Sequence, residues 1–283
     1  MSHPDFITIG HITHDLVNGG TIVGGSSLYS GIMAKRLGKK VGVVTCVGQD
    51  FHHWEVLEET EVVYSLALST TTFANIYLDG TRQQSILKVA DPIHSQIIPP
   101  TWYNAEIVHI CPVANEVSLD TVGLFKGSLI GVTPQGWMRK WDSRGEIKAK
   151  KWGQAGDILR FAQVLILSED DILGDEGRIY EYLKLVEVLI LTRGKKGAIL
   201  YYHQNHYHIP AFRTIVLDQT GAGDVFASAF LIRYSQTKDP LRSAEFATCA
   251  ASFVIEKQGI EGIPNFEDII RRKETYRKRY GES

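Results

Sequence analysis

The residues best suited to chemistry lie in the segment TIVLDQTGAGDVFASAFLIRYSQ, which begins at Thr214. An apolar stretch leads through Gly221-Ala222-Gly223 into a long helical pattern of small and apolar residues. Glycines allow a sharp turn and a close approach of the backbone to a ligand. The helix that follows would present unpaired amides and the positive end of its dipole, which together suit a phosphate. Asp224 stands at that helix start, where its carboxylate could accept a proton from a substrate hydroxyl.

A simpler interpretation of the same residues is structural. Asp224 would then only cap the helix, and the glycines would only form a strand-to-helix turn. Asp218 and Thr220, directly before the glycines, favour the functional interpretation. No G-x-x-x-x-G-K-[ST] sequence is present and no G-x-G-x-x-G follows a strand, which argues against P-loop NTPases and dinucleotide-binding oxidoreductases.

Short apolar runs alternate with helical patterns along the chain. The runs are typical of strands covered on both faces, as in a parallel sheet, and the helices between them indicate βαβ units. Residues 60–90 differ, because they read as alternating strands around a hairpin turn at Asp79-Gly80, which predicts a small lid or interface. We predict strands at 6–10, 41–48, 106–111, 128–133, 164–168 and 188–193, and helices at 26–37, 155–162 and 175–185.

Composition narrows the class of protein. The 283 residues carry a formal net charge of -2, which argues against a nucleic-acid binder with a broad basic face. Cys46, Cys111 and Cys249 lie far apart, so we expect neither a zinc knuckle nor a disulfide framework. No apolar run approaches the ~18 residues that span a bilayer. The N-terminus lacks the layout of a signal peptide, so we expect a cytoplasmic protein without a membrane partner.

The segment from Asp218 to Asp224 resembles the D-T-x-G-A-G-D signature of the ribokinase-like carbohydrate kinases, also called the phosphofructokinase-B type, with Gln219 as the mismatch. The resemblance implies a three-layer α-β-α sandwich with a mostly parallel central sheet and a small β lid. We predict a single kinase domain over 1–283, with the lid formed by about 11–23 and 60–98. The family pattern implies that Asp224 is the catalytic base and that the amides of Gly221, Ala222 and Gly223 form an anion hole.

Weaker matches extend this resemblance toward the acceptor site. Gly10-x-x-x-x-Asp15 implies that Asp15 binds sugar hydroxyls, although a loop turn would explain it too. Gly24-Gly25 opens a helix that resembles the family's N-terminal signature. Tyr29 stands where typical sugar kinases carry Asn, so its ring would either form an apolar wall for the acceptor or point into the core. Thr133-Pro134-Gln135 resembles the D-P-N segment, which implies that Gln135 and Arg139 approach the substrates.

Further matches point to the phosphoryl donor. Ser168-Glu169-Asp170-Asp171 takes the place of the family's N-x-x-E, which implies that Asp171 is the magnesium-linked acid; a plain cap cluster is the alternative. The segment from Thr192 through Gly194 to Gly197 resembles T-x-G-x-x-G, which lines the nucleotide; a hairpin turn is the alternative. Thr248 and Gly259 are the residues expected closest to the nucleotide and a cation. The implied cofactors are ATP and Mg²⁺, with K⁺ as an additional cation near Asp218.

The acceptor remains open between three hypotheses. His14-Asp15, Tyr29, Thr71-Thr72-Phe73, 90–93 and Ser168 resemble the inositol-kinase-like branch, which implies a cyclic polyol such as myo-inositol. The second hypothesis is another sugar or a nucleoside, whose base would stack on lid aromatics. The third is a non-catalytic ligand-binding protein on the same fold. We expect a small sugar or polyol and ATP as partners, no nucleic acid, and a homodimer formed through the lid. The aromatics proposed for stacking are Phe73, Tyr77 and Trp102.

Overall fold

The largest element of the fold is a nine-stranded sheet. The computed structural model describes residues 3–17, 20–78, 81–172 and 174–281, with side chains outside 76–83. Neighbouring strands of this sheet are parallel, except that the last two pairs in the order below are antiparallel. In order across the sheet the strands are β5 (Glu61–Ala67), β4 (Val41–Gly48), β1 (Phe6–Ile9), β8 (Ile107–Ile110), β9 (Leu129–Val132), β12 (Val164–Ser168), β13 (Val188–Thr192), β14 (Ala198–Tyr202) and β15 (Asn205–Ile209).

Side chains along the central strands alternate between two hydrophobic cores, one on each face of the sheet. Val164 and Ile166 of β12 belong to one core, whereas Leu165 and Leu167 belong to the other. The two sets of helices and the sheet between them make three layers, which confirms the predicted fold class. The first core is covered by α1 (Ser26–Arg36), α6 (Ala222–Thr237), α7 (Pro240–Val254) and α8 (Phe266–Tyr280). The second is covered by α2 (Leu119–Val122), α3 (Ala155–Leu159), α4 (Glu169–Ile172) and α5 (Gly177–Tyr182).

A separate four-stranded sheet, the lid sheet, is ordered β3 (Gly20–Gly24), β2 (Thr13–Val17), β6 (Thr71–Leu78) and β7 (Thr81–Lys88). Phe73 and Ile86 of this sheet pack against Val113 and Ala114, which joins it to the body of the protein. A small hairpin of β10 (Arg139–Trp141) and β11 (Ile147–Ala149) touches the same place, because the Ile86 amide donates to the Gly145 carbonyl at 2.9 Å.

The predicted strands and helices are present, with bounds that differ by a few residues. The region 60–90 divides between two sheets: β5 forms the edge of the main sheet, and β6 pairs with β7 as a hairpin in the lid sheet. The predicted turn at Asp79-Gly80 lies outside the described residues. The single domain and the predicted lid bounds stay predictions. All described helices are too short or too polar to cross a bilayer.

Candidate active site

The loop before α6 is built around Gly221. This glycine caps the helix with a left-handed backbone at φ 79°, which glycine adopts at little cost. A Cβ atom at this position would lie 2.2 Å from Cδ1 of Tyr29, so a side chain does not fit against the ring. The helix of 16 residues then begins at Ala222, and Gly223 is exposed in its first turn. The Ala222 amide donates to the Gln219 carbonyl over a long 3.4 Å, and the start of a long helix is in general a favourable place for an anion.

Asp224 lies in the same first turn of α6 and is partly exposed. Its carbonyl oxygen accepts a hydrogen bond from Ser30 Oγ at 3.3 Å, which ties the turn to α1. Burial raises the pKa of the Cys111 thiol well above its ordinary value, and the nearby negative charge of Asp224 adds to that rise. Asp224 is thus partly accessible to solvent, whereas its main-chain carbonyl is hydrogen-bonded to α1.

Tyr29 lies beneath this loop. Its side chain is only 2% exposed, and its ring packs directly under Gly221. This packing favours the core interpretation of Tyr29 over an apolar wall for the acceptor. The ring supports the loop of 221–223 from inside the protein.

Asp15 is the buried carboxylate of the lid sheet. It lies on β2 with 6% exposure, and its Oδ1 accepts a hydrogen bond from Thr13 Oγ1 at 3.2 Å. A Cβ atom on Gly24 would lie 2.5 Å from Oδ2 of Asp15, so glycine leaves room for the carboxylate. Gly25 has φ 99°, and a Cβ atom there would lie 2.4 Å from the His11 carbonyl oxygen. The two glycines therefore bring the start of α1 against the strand that carries Asp15.

Two amide side chains near Asp15 were missing from the predicted site residues. Asp15 pairs with Phe73 across the lid sheet, so Asn75 projects from the same face as Asp15. Asn75 is 6% exposed, and its Oδ1 accepts a hydrogen bond from Gln84 Nε2 at 3.0 Å. The alternation of TTFANIYL already puts Phe73 and Asn75 on one face, which is the signal that could have identified Asn75.

Asp171 follows β12 and lies near Arg139. The Ser168 amide donates to Oδ2 of Asp171 at 2.8 Å. Burial raises the pKa of Asp171 above its ordinary value, and the positive Arg139 guanidinium opposes that rise. Gln135 is partly buried in the short helical turn Gln135–Met138, immediately before Arg139. The segment after β9 and the segment after β12 therefore meet.

The turn after β13 contains the predicted nucleotide residues Thr192, Gly194 and Gly197. The Arg193 amide donates to the Gly197 carbonyl at 2.7 Å, which closes the turn. Gly197 has φ 86°, and a Cβ atom there would lie 2.0 Å from the Ile209 carbonyl oxygen, so the fold itself requires this glycine. Gly194 has φ 53° and open space around it. The backbone at Gly194 is therefore accessible to a ligand, whereas Gly197 is needed for the geometry of the turn.

Asp218 connects the loop before α6 to the loop after α7. Its Oδ1 accepts the Thr220 amide at 2.9 Å, and its Oδ2 accepts the Gly259 amide at 3.4 Å. Gly259 has φ 60°. A Cβ atom at this position would lie 3.6 Å from Cγ2 of Ile22 in the lid sheet. Thr248 is 8% exposed within α7. Asp218 thus holds the two loops together, whether or not a cation binds between them.

The predicted residues converge because most of them follow the carboxyl ends of parallel strands, which meet at one edge of an α/β sheet. β1 leads to Asp15, β9 to Gln135, β12 to Asp171 and β13 to Thr192. Within the described part of the chain, no three His, Cys, Asp or Glu side chains cluster as a metal site.

Comparison with known proteins agrees with this architecture. A nucleoside kinase of Methanocaldococcus jannaschii is 26% identical over 272 residues, covering 90% of this chain and 86% of its own. A pyrophosphate-dependent kinase of the ribokinase family, solved with a pyrophosphate analogue and myo-inositol, superposes with a TM-score of 0.78 at 20% identity, covering 94% of this chain and 99% of its own. Arabidopsis thaliana ribokinase with ribose and ATP gives 0.73 at 17% identity, covering 96% and 99%. These two likenesses establish the ribokinase-like fold.

A family match covers the part of the chain that contains the anion loop. Residues 165–265 match the profile of the pfkB family carbohydrate kinases. The match includes Asp171, the turn of 192–197, the loop of 218–224 and Gly259, whereas Asp15 and Gln135 lie outside it. Residues 165–265 therefore match the PfkB family carbohydrate kinases, which are phosphotransferases whose acceptor is a hydroxyl group.

Proposed function

We propose that this protein is an ATP-dependent kinase for a hydroxyl group of a small sugar or cyclic polyol, with a myo-inositol-like acceptor favoured. The observation that carries the proposal is the juxtaposition of a partly exposed carboxylate, Asp224, with the amides of 221–223 at the start of one helix. A carboxylate can take the proton of the attacking hydroxyl, and amides at a helix start can stabilise the transferring phosphoryl group.

In this mechanism the acceptor oxygen attacks the γ-phosphorus of ATP, its proton passes to Asp224, and ADP leaves. The amides of Gly221, Ala222 and Gly223 donate hydrogen bonds to oxygens of the phosphoryl group as its charge redistributes. Asp171 offers the kind of oxygen ligand that Mg²⁺ accepts, so it would hold that ion through water. Mg²⁺, when bound, neutralises part of the charge on the phosphates.

The other donor residues have supporting parts in this proposal. Thr192, Gly194, Gly197 and Thr248 would line the nucleotide, with Gly194 as the most open backbone surface. K⁺ would bind where Asp218 meets the loop at Gly259, since ordering that contact also orders the anion loop.

Polar groups on the lid sheet support a polyhydroxylated acceptor. Asp15 accepts hydrogen bonds, and Asn75 and Gln84 supply amides that can both donate and accept. Gly24 leaves room for the Asp15 carboxylate, and Gly25 lets the start of α1 approach the same strand. Gln135 and Arg139 would approach the acceptor from the body. A sugar or inositol presents several hydroxyls that such a set can recognise.

A nucleoside acceptor is the second candidate, because the Methanocaldococcus jannaschii relative is a nucleoside kinase. A nucleobase needs an apolar surface for stacking. Phe73 is 3% exposed and Trp102 is 1% exposed, and the Trp102 ring packs against Gly42 in the core. The side chain of Tyr77 lies outside the described residues. The two aromatic rings that are described therefore favour a polyol or sugar over a nucleoside.

The donor and the assembly belong to the same proposal. One structural relative uses pyrophosphate, so pyrophosphate is the donor to test against ATP. A homodimer through the predicted lid region is supported by edge strand β5, which exposes Tyr64 and Leu66 by 45% and 62%, and by Leu68 just after it, which is 92% exposed. A cytosolic location belongs to the same proposal.

The test is a matrix of acceptors and donors with the purified protein. Initial rates are measured for myo-inositol, ribose, fructose and cytidine, each with ATP and with pyrophosphate, in the presence of Mg²⁺. We expect myo-inositol with ATP to have the highest kcat/KM. A tenfold advantage of any other acceptor, about 1.4 kcal/mol in transition-state binding, would exclude the inositol assignment. No turnover in any combination would favour the non-catalytic alternative, against which the intact loop and Asp224 argue.

A further inference from the structure

A chain of hydrogen-bonded groups runs through the core beneath Asp224. Thr133 Oγ1 lies 3.1 Å from His109 Nε2, and His109 Nδ1 lies 2.7 Å from Ser30 Oγ. Ser30 Oγ in turn lies 3.3 Å from the carbonyl oxygen of Asp224. Ser30 and His109 are both 0% exposed. The two inner groups are therefore shielded from water, whereas Thr133, which follows β9, and Asp224, in the first turn of α6, are partly exposed.

The direction of these hydrogen bonds follows from what each group can donate. A carbonyl oxygen only accepts, so the Ser30 hydroxyl donates its single hydrogen to the Asp224 carbonyl. Ser30 Oγ must then accept from His109 Nδ1, which fixes the ring tautomer with hydrogen on Nδ1. Burial lowers the pKa of His109 to about 3, so the ring is neutral near pH 7. Its Nε2 consequently accepts from the Thr133 hydroxyl, and each of these groups is satisfied.

The groups at the ends of this chain belong to the two sides of the proposed site. Thr133 opens the segment that leads to Gln135, and the carbonyl of Asp224 lies in the turn that carries the proposed base. A second bond, from Ser228 Oγ to the Ser30 carbonyl at 2.9 Å, joins α6 to α1 about one turn further along. Two hydrogen bonds thus hold α6 to α1, but only the bond from Ser30 to Asp224 reaches the residue that would react.

We propose that His109, acting through Ser30, is a positioning residue that sets where the Asp224 carboxylate stands relative to the acceptor. This inference depends on the proposed function. A proton acceptor that is misplaced by about 1 Å can lose about 10²-fold in rate, because the reacting atoms no longer align. Loss of these hydrogen bonds therefore lowers kcat and leaves the binding of both substrates largely unchanged.

The kinetic test uses Ser30→Ala, with Ser243→Ala as the matched control. Ser243 is 0% exposed and donates to the Asp239 carbonyl at 2.6 Å, at the far end of the helical layer. Rates are measured with ATP and the acceptor that turns over fastest among the four. We expect Ser30→Ala to lower kcat by about 10- to 100-fold, with KM values within about threefold, whereas Ser243→Ala lowers only the melting temperature. Equal kcat for the two variants would overturn the proposal.

Two further measurements separate this inference from the proposed function. In an Asp224→Asn background, Ser30→Ala should cause no additional loss of the residual single-turnover rate, because it acts through the missing base. A loss as large as in the wild type refutes the positioning role. If Asp224→Asn alone retains full activity, the proposed base is wrong and the inference fails with it. If Asp224→Asn is inactive and Ser30→Ala is fully active, only the inference fails.

The histidine tautomer gives a readout that needs no activity. Nitrogen-15 NMR of the ligand-free protein should show His109 neutral, with hydrogen on Nδ1, from pH 8 down to pH 5. His109→Asn identifies the signal and places an amide where Nδ1 was, so it should keep more of kcat than His109→Leu. A ring protonated on Nε2 alone, or charged at pH 6, would contradict the hydrogen-bond direction on which the proposal stands.

Discussion

The proposed acceptor side and donor side of the site are held by different interactions. On the acceptor side, Asp15 and Asn75 are each 6% exposed and hydrogen-bonded within the lid sheet. On the donor side, Glu169 pairs with Arg193 at 3.4 Å and with Lys196 at 3.1 Å, and all of these side chains remain partly exposed. Buried hydrogen bonds to charged groups contribute more than exposed ion pairs, which water and salt screen. The acceptor side is therefore the more firmly ordered half.

The junction between the lid sheet and the body shows the same buried character. The Glu116 carboxylate accepts the amides of His11 at 2.9 Å and Val113 at 2.8 Å. The His11 ring lies 2.8 Å from Thr71 Oγ1 and 3.0 Å from the Asp91 carbonyl oxygen. The chain segments near residues 11, 71 and 91, which connect the lid sheet to the main sheet, are therefore held to one another.

The family match follows the same division. Residues 165–265 cover the donor side and the anion loop but none of the lid sheet. The match to that family is thus concentrated where the donor would bind, whereas the acceptor must be inferred from the lid sheet and its junction.

The largest effect is expected where the two sides meet. Asp224→Asn should lower kcat by about 10²–10⁴-fold, because an amide cannot take the acceptor's proton. The side chain is partly exposed, so the melting temperature and ATP binding should change little. Stopped assays for the rate and titration calorimetry for ATP measure both. Retention of more than about a tenth of the wild-type kcat would show that Asp224 is not the base.

The next effect tests the acceptor side alone. Asp15→Ala should raise the acceptor KM by about 10- to 150-fold, which corresponds to about 1.5–3 kcal/mol for a charge-assisted hydrogen bond. The donor KM should stay within about twofold. Steady-state kinetics with each substrate varied in turn provides the comparison, and Asp15→Asn is the conservative control. An unchanged acceptor KM would remove Asp15 from the site.

A substitution at the junction between the lid sheet and the body should have a smaller effect, on both stability and acceptor binding. Glu116→Gln keeps an acceptor oxygen but replaces the other with an NH₂ group that faces main-chain amides. We expect the free energy of unfolding to fall by about 1–3 kcal/mol and the acceptor KM to rise several-fold. The donor KM should not change. Urea unfolding and kinetics test the two parts, and a change in the donor KM alone would contradict the division into two sides.

Sequence reasoning predicted the order of elements well, because runs buried on both faces have a strong signature. β12 and β13 read VLILS and VLILT, and the alternate side chains of each enter opposite cores. The turn before α6 was equally clear, because Gly221 and Gly223 precede a helical pattern, and Gly221 has the left-handed backbone that glycine favours.

The direction of single side chains was harder to predict. Tyr29 and Trp102 are aromatic residues beside predicted functional segments, yet both are buried, because Gly221 and Gly42 leave space for their rings. That space is created by residues distant in sequence. His109 likewise reads as one member of the buried strand IVHI, and only the fold shows that Ser30 and Thr133 flank it.

The donor side also predicts a dependence on pH. Burial raises the pKa of Asp171 in the folded protein above its value in the unfolded chain. The folded state then binds the proton more tightly, so this residue's contribution to stability is greatest at low pH and falls as pH rises through the folded pKa. Asp171→Asn should therefore stabilise the ligand-free protein more at pH 7 than at pH 4. Thermal unfolding at both values tests this, and an equal shift at both would show that the carboxyl is not perturbed.

The smallest effect is expected from the exposed ion pairs. Glu169→Gln removes the partner of Arg193 and Lys196, but each of these groups can be solvated where it stands. We expect no measurable change in melting temperature and no change in the acceptor KM. The donor KM should fall slightly at low salt, because the two cations are released toward the donor phosphates, and the difference should vanish at high salt, which screens exposed charges. A loss of stability as large as that of Glu116→Gln, the matched buried change, would mean that the donor side is ordered as firmly as the junction, and the contrast between the two halves would fail.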